Sequence, residues 1–97
     1  MKQTYTLYHG TPRTIADLAY SEQLWQHQRD YYTKVAEVKA TSLEDVFHIT
    51  NEDNWWDSPG VRVFTTQPLR LTMVGDVIVQ GNEAWLVNAF GFEALPV

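Results

Sequence analysis

The order of patterns along this chain predicts an α+β fold: a small, mainly antiparallel or mixed sheet with two helices packed on one face. Three observations carry that expectation. Two stretches place apolar residues at helical spacing, and several short stretches are rich in β-branched and aromatic residues. Two of those short stretches flank Gly81-Asn82, a hairpin turn signal. A sheet with helices on one side buries both kinds of apolar face at once. The chain has 97 residues, 44% apolar and 20% charged, which suits one domain (residues 1–97) with one core. Four Trp, five Tyr and four Phe supply enough large side chains for that core and leave some for a binding face.

Residues 4–8 (Thr-Tyr-Thr-Leu-Tyr) read as a strand, which His9-Gly10-Thr11-Pro12 should end with turn chemistry. Thr14 is placed to cap a helix over residues 15–29, with Ile15, Leu18 and Ala19 on one face. Residues 31–40 alternate with period two, as a half-buried strand does. Ser42 can cap a second helix, and Glu44 and Asp45 complement its positive end. Leu43, Val46, Phe47 and Thr50 form its apolar stripe, ending near Asn51. A polar loop over residues 51–60 carries Trp55-Trp56. Residues 61–64 are a brief extended piece, residues 71–80 and 84–88 form a hairpin, and Val74-Gly75-Asp76 marks a bend or bulge at its entry. Residues 90–95 finish on a turn or a last strand.

The absence of cysteine excludes disulfides, thiolate zinc sites and a cysteine nucleophile, and fits a reducing compartment. Met1-Lys2-Gln3-Thr4-Tyr5 lacks the apolar core of a signal peptide, and no run approaches the roughly 20 apolar residues of a membrane span. A cytoplasmic protein without a membrane anchor is expected. The net charge of −5 has a definite location: five acids and no Lys or Arg lie within residues 40–61, while the other seven acids balance all seven basic residues. Nucleic-acid binders cluster the opposite sign, so direct DNA or RNA binding is disfavoured, and an acidic patch suits a basic protein surface instead.

His9, His27 and His48 have no partner at metal-ligand spacing, so neither a metal nor a cofactor is expected. Glu44/Asp45 and Glu52/Asp53 are paired carboxylates only in sequence, and nothing suggests burial that would tune them for acid–base work. With no phosphate loop and no nucleophile elbow, an enzyme is not expected. Trp55-Trp56 stands out within its acidic, turn-rich loop. Adjacent rings point to opposite sides, so one should pack on the core while the other either lids that core or stays exposed as an interface anchor.

Two resemblances bear on function. Tyr8-His9-Gly10-Thr11 resembles the nicotinamide-pocket strand of ADP-ribosyltransferases, in which the histidine and neighbouring backbone hold the cofactor. The later Tyr or Ser strand and the catalytic Glu of that family have no match here. The second is broader, covering residues 32–95. Leu43-Glu44-Asp45-Val46-Phe47-His48-Ile49-Thr50-Asn51, then Trp55-Trp56, Val74-Gly75-Asp76-Val77-Ile78 and Gly91-Phe92, resemble a pattern in small bacteriophage and plasmid accessory proteins. This chain has Arg70-Leu71-Thr72-Met73 where that pattern has Arg-Ser-x-Ser. The resemblance implies a mobile-element origin, and with it a protein that binds and blocks a host protein.

The function expected is thus a non-enzymatic protein-binding module of phage or plasmid type, an inhibitor of a host defence system such as CRISPR or restriction machinery. Its partner-binding residues would be Glu44, Glu52, Asp53, Trp55, Trp56 and Asp57. A nucleic-acid or nucleotide-binding domain stacking bases on Tyr5, Tyr32 and Trp85 is the alternative, and an ADP-ribosyltransferase-like enzyme comes third. An exposed sheet edge at residues 4–8 would also let two copies pair into a homodimer.

Overall fold

The computed structural model describes residues 2–10, 25, 32–65, 69–89 and 91–95. Six strands form one sheet: β1 (Gln3–Gly10), β2 (Tyr32–Ala40), β3 (Val61–Val63), β4 (Val77–Gln80), β5 (Glu83–Asn88) and β6 (Gly91–Leu95). Their order is β3-β2-β1-β4-β5-β6, and every neighbouring pair is antiparallel. An α-helix, α1 (Leu43–Ile49), and a 3-10 turn (Trp55–Asp57) connect β2 to β3.

This corrects the expected fold. The structure is chiefly an antiparallel six-stranded sheet, not a sheet with two helices packed on one face. The expected first helix, residues 15–29, lies outside the described residues except for Trp25. Trp25 is helical and buried, and it packs edge-to-face on Tyr8 and Tyr32. Successive strand residues point to opposite faces. Leu7 and Tyr8, Val77 and Ile78, and Leu86 and Val87 divide in this way between two apolar clusters. Trp25 belongs to the cluster with Tyr32, Val77 and Leu86, while Val46 of α1 and Trp55 belong to the other. Trp25 and the α1 stripe thus lie on opposite faces of the sheet, and β4 and β5 carry buried residues on both faces.

Two further corrections concern β1. It runs through His9 and Gly10 instead of ending in a turn before them, and it lies inside the sheet between β2 and β4. The strand expected to offer a dimerising edge therefore has both edges paired, and the outer strands are β3 and β6. The period-two pattern of β2 is interrupted by a bulge. Leu7 faces Ala36 and Tyr8 faces Lys34, so Val35 is the extra residue. Downstream, Ala36, Val38 and Ala40 join the Leu7 cluster; upstream, Tyr32 joins the Trp25 cluster.

Helix α1 forms where its capping chemistry places it. Ser42 Oγ accepts from the Asp45 N–H at 3.1 Å, and Asp45 Oδ2 accepts from the Thr41 N–H at 2.9 Å. That last bond is the main cause holding the Asp45 carboxyl below its ordinary pKa. At the other end, Thr50 Oγ1 donates to the Val46 carbonyl and Asn51 Nδ2 to the Phe47 carbonyl, both at 2.8 Å, satisfying last-turn acceptors. The chain then turns through Asn54, which has a left-handed φ of 55°. This drops the Trp55 ring into the core, where it is fully buried and its Nε1–H donates to the Arg70 carbonyl at 2.9 Å. A Trp55→Phe variant keeps a buried ring but removes that donor. It should lose about 1–3 kcal/mol of unfolding free energy in urea titrations followed by circular dichroism.

Candidate functional site

The densest polar construction in the described residues surrounds the C-terminal end of β1. Asp76, immediately before β4, is fully buried. Its Oδ1 accepts from the Gly10 N–H and from Arg70 Nη2, both at 2.8 Å. Its Oδ2 accepts from Arg70 Nη1 at 2.7 Å and from the Met73 N–H at 2.8 Å. Four donors fill the roughly four lone-pair sites of the carboxylate. Arg70 in turn donates through Nη2 to the Gly10 carbonyl at 3.1 Å and through Nη1 to the Leu71 carbonyl at 2.9 Å. The two-pronged pair thereby holds both backbone groups of Gly10 and folds residues 70–76 into a tight loop. Gly75 makes the loop's last turn at φ 100°, a conformation that a β-carbon would strain. Its N–H donates to the Val87 carbonyl at 2.8 Å, which ties the loop to β5.

His9 borders this pair. Its Nε2 lies 3.3 Å from Thr72 Oγ1 and 3.8 Å from Asp76 Oδ2. Burial pushes the imidazole pKa down to about 4; Asp76 acts upward and Arg70 downward. The ring is therefore neutral at pH 7, and the counter-charge to Asp76 comes from Arg70. In a hydrolase triad, one ring nitrogen faces the nucleophile and the other the carboxylate. Here Thr72 and Asp76 approach the same nitrogen, and Thr72 is buried, so the three side chains do not have the triad arrangement. Among the described residues, no group of three or more His, Asp or Glu side chains could hold a metal ion.

Two clefts meet at Arg70. One, of about 260 Å³, is lined by residues including His9, Thr33, Val35 and Leu69. The other, of about 340 Å³, is lined by Asp53, Asn54, Trp56, Leu69, Arg70 and Leu71. Leu71 and Met73 on the same loop are among the exposed large apolar side chains.

No protein-family model, curated protein or solved structure matches the chain.

The residues expected to bind a partner are placed as follows. Glu44 is exposed on the first turn of α1; Glu52, Asp53 and Asp57 are exposed around the following loop. Trp56 is half-buried beside Asp53, whereas Trp55 is in the core, edge-to-face against Trp56 at 5.9 Å. Glu52 pairs with exposed His48 one helical turn earlier, at 3.4 Å. No cationic side chain among the described residues pairs with Glu44, Asp53 or Asp57. Of the aromatics considered for base stacking, Tyr5 and Tyr32 are buried and Trp85 is partly exposed. Among the described residues no helix is long and apolar enough to cross a membrane. His27 lies outside the described residues.

Sequence reasoning missed the Arg70–Asp76 pair. The signal present was an Arg six residues before an Asp that follows a glycine and opens a strand. Nothing in that spacing says that the two meet over Gly10.

Two outcomes test the cluster. Asp76→Ala leaves the guanidinium without its carboxylate and strips the Gly10 and Met73 N–H groups of an acceptor, so it should cost about 3–5 kcal/mol in chemical denaturation. Arg70→Lys keeps the charge but not the fork, and should fall between that variant and the parent protein. The second outcome is a pH dependence. The unfolded chain protonates His9 near its ordinary pKa of 6.5, the folded chain only near 4. This contribution to stability is complete above pH 6.5 and is lost as pH falls toward 4, by about 3 kcal/mol in all. Thermal melts from pH 7 to 4 should show the slope, and His9→Gln should flatten it.

Proposed function

We propose that this chain is a non-enzymatic protein-binding module, docking an acidic, tryptophan-bearing face onto a basic partner protein. The observation that carries the reading is the make-up of that face. Exposed Asp53 and half-buried Trp56 share a cleft with Leu71, and exposed Glu44, Glu52 and Asp57 surround the same helix and loop. Three of these four carboxylates have no cationic partner among the described residues. Their charge remains available to steer and orient an oppositely charged surface. The ring of Trp56 offers the apolar anchor that interface centres favour. Trp55 contributes from below, as the buried support against which Trp56 is held.

The finer reading is a phage- or plasmid-type inhibitor working in the cytoplasm, with a subunit of a host defence complex as its partner. The resemblance of residues 32–95 to small mobile-element proteins supports it, as does the absence of cysteine. A surface built to hold nucleic acid is basic, so an acidic face is suited to occupy it.

The test is affinity capture from host lysate with the parent protein and with a Glu52→Lys/Asp53→Lys/Trp56→Ala variant whose fold is checked by circular dichroism. A basic partner retained by the parent protein and lost by the folded variant is expected. A partner held equally by both would place the binding surface elsewhere.

A further inference from the structure

Between α1 and the β5–β6 hairpin lies a pocket of about 300 Å³ that the acidic loop does not use. Phe47 of α1, Val74, Val87 and Phe92 are among its lining residues, and exposed Glu44 joins them from the first turn of α1. Phe47 and Phe92 meet edge-to-face with ring centres 6.4 Å apart, while Val87 is 2% exposed. None of the residues lining the pocket is Lys or Arg, and no cation among the described residues pairs with Glu44. The pocket thus combines apolar and aromatic walls with one unneutralised carboxylate.

We propose that this pocket receives an arginine side chain from the basic partner protein, its methylene stem lying against Phe47, Val74, Val87 and Phe92 and its guanidinium meeting Glu44. Long cationic side chains are amphipathic in this way, with an apolar stem and a charged head. Arginine fits better than lysine because its planar head stacks on aromatic rings and meets a carboxylate with two parallel N–H donors. An aliphatic side chain would fill the apolar walls but leave Glu44 unanswered, and an acidic one would be repelled. The inference rests on the acidic-face reading and extends it by naming one contact that the partner must supply.

The experiment uses short blocked peptides as probes, Gly-Arg-Gly beside Gly-Lys-Gly and Gly-norleucine-Gly. Each is titrated into isotope-labelled protein and followed by NMR at the Val74 and Val87 methyls and the Gly91 amide. The arginine peptide should shift these signals saturably and more strongly than the other two. Glu44→Gln, a change at an exposed site that leaves the fold intact, should weaken that binding roughly threefold, the size of an exposed charge pair. Equal shifts with norleucine would overturn the arginine assignment. Shifts confined to residues 52–57, with the pocket signals still, would overturn the pocket while leaving the acidic face standing. No shift at any site would overturn the pocket as well, and the capture experiment with Glu52, Asp53 and Trp56 variants would then judge the face on its own.

Discussion

The two-pronged contact between Arg70 and Asp76 is the interaction on which the arrangement of this protein depends. A fully buried carboxylate is tolerable only when its charge is answered and its lone pairs are filled. Here one guanidinium and two backbone N–H groups do both. Through them the end of β1, the loop of residues 70–76 and the start of β4 become one unit. Removing Arg70 would leave the buried Asp76 carboxylate without its counter-charge, which makes the cluster a strong constraint on the path of the chain.

That constraint reaches the surface through Trp55. The Arg70 carbonyl, placed by the loop, accepts from the indole N–H and so gives the buried ring a polar partner. With Trp55 held inside, its neighbour Trp56 is left at the cleft with Asp53 and Leu71. The same loop directs Leu71 and Met73 outward, and Thr72 inward toward His9 and Thr50. An internal electrostatic arrangement thereby sets the apolar content of the acidic face. His9 adds a pH dependence to the unit, because it is buried neutral beside a pair that is already electrically complete.

Much of the local structure was legible from the residues. The Ser42 cap and the stripe of Leu43, Val46, Phe47 and Thr50 mark α1, and Gly81-Asn82 marks the β4–β5 turn, because those signals act over a few neighbours. The division of Trp55-Trp56 into one buried and one half-exposed ring was also foreseeable in outline, though not which ring was which. The exposure of Glu44, Glu52, Asp53 and Asp57 follows from their polar surroundings. The pairing of Arg70 with Asp76 was not legible, since it is decided by Gly10, some sixty residues away in the chain. The bulge at Val35 was hidden for a related reason: alternation along a strand reports which residues differ, not where the partner strand slips.

By itself the sequence determined the strand-rich composition, the cap and stripe of α1, the hairpin turn and the concentration of negative charge in residues 40–61. These are properties of side-chain chemistry and short-range spacing. The tertiary structure alone decided that β1 sits inside the sheet between β2 and β4, and that Trp25 and the α1 stripe lie on opposite faces of that sheet. It also decided that Arg70 meets Asp76 and answers the charge of a buried carboxylate. The physical reason is common to both: an antiparallel sheet joins segments distant in sequence, and burial of a charge is settled only when its partners have arrived.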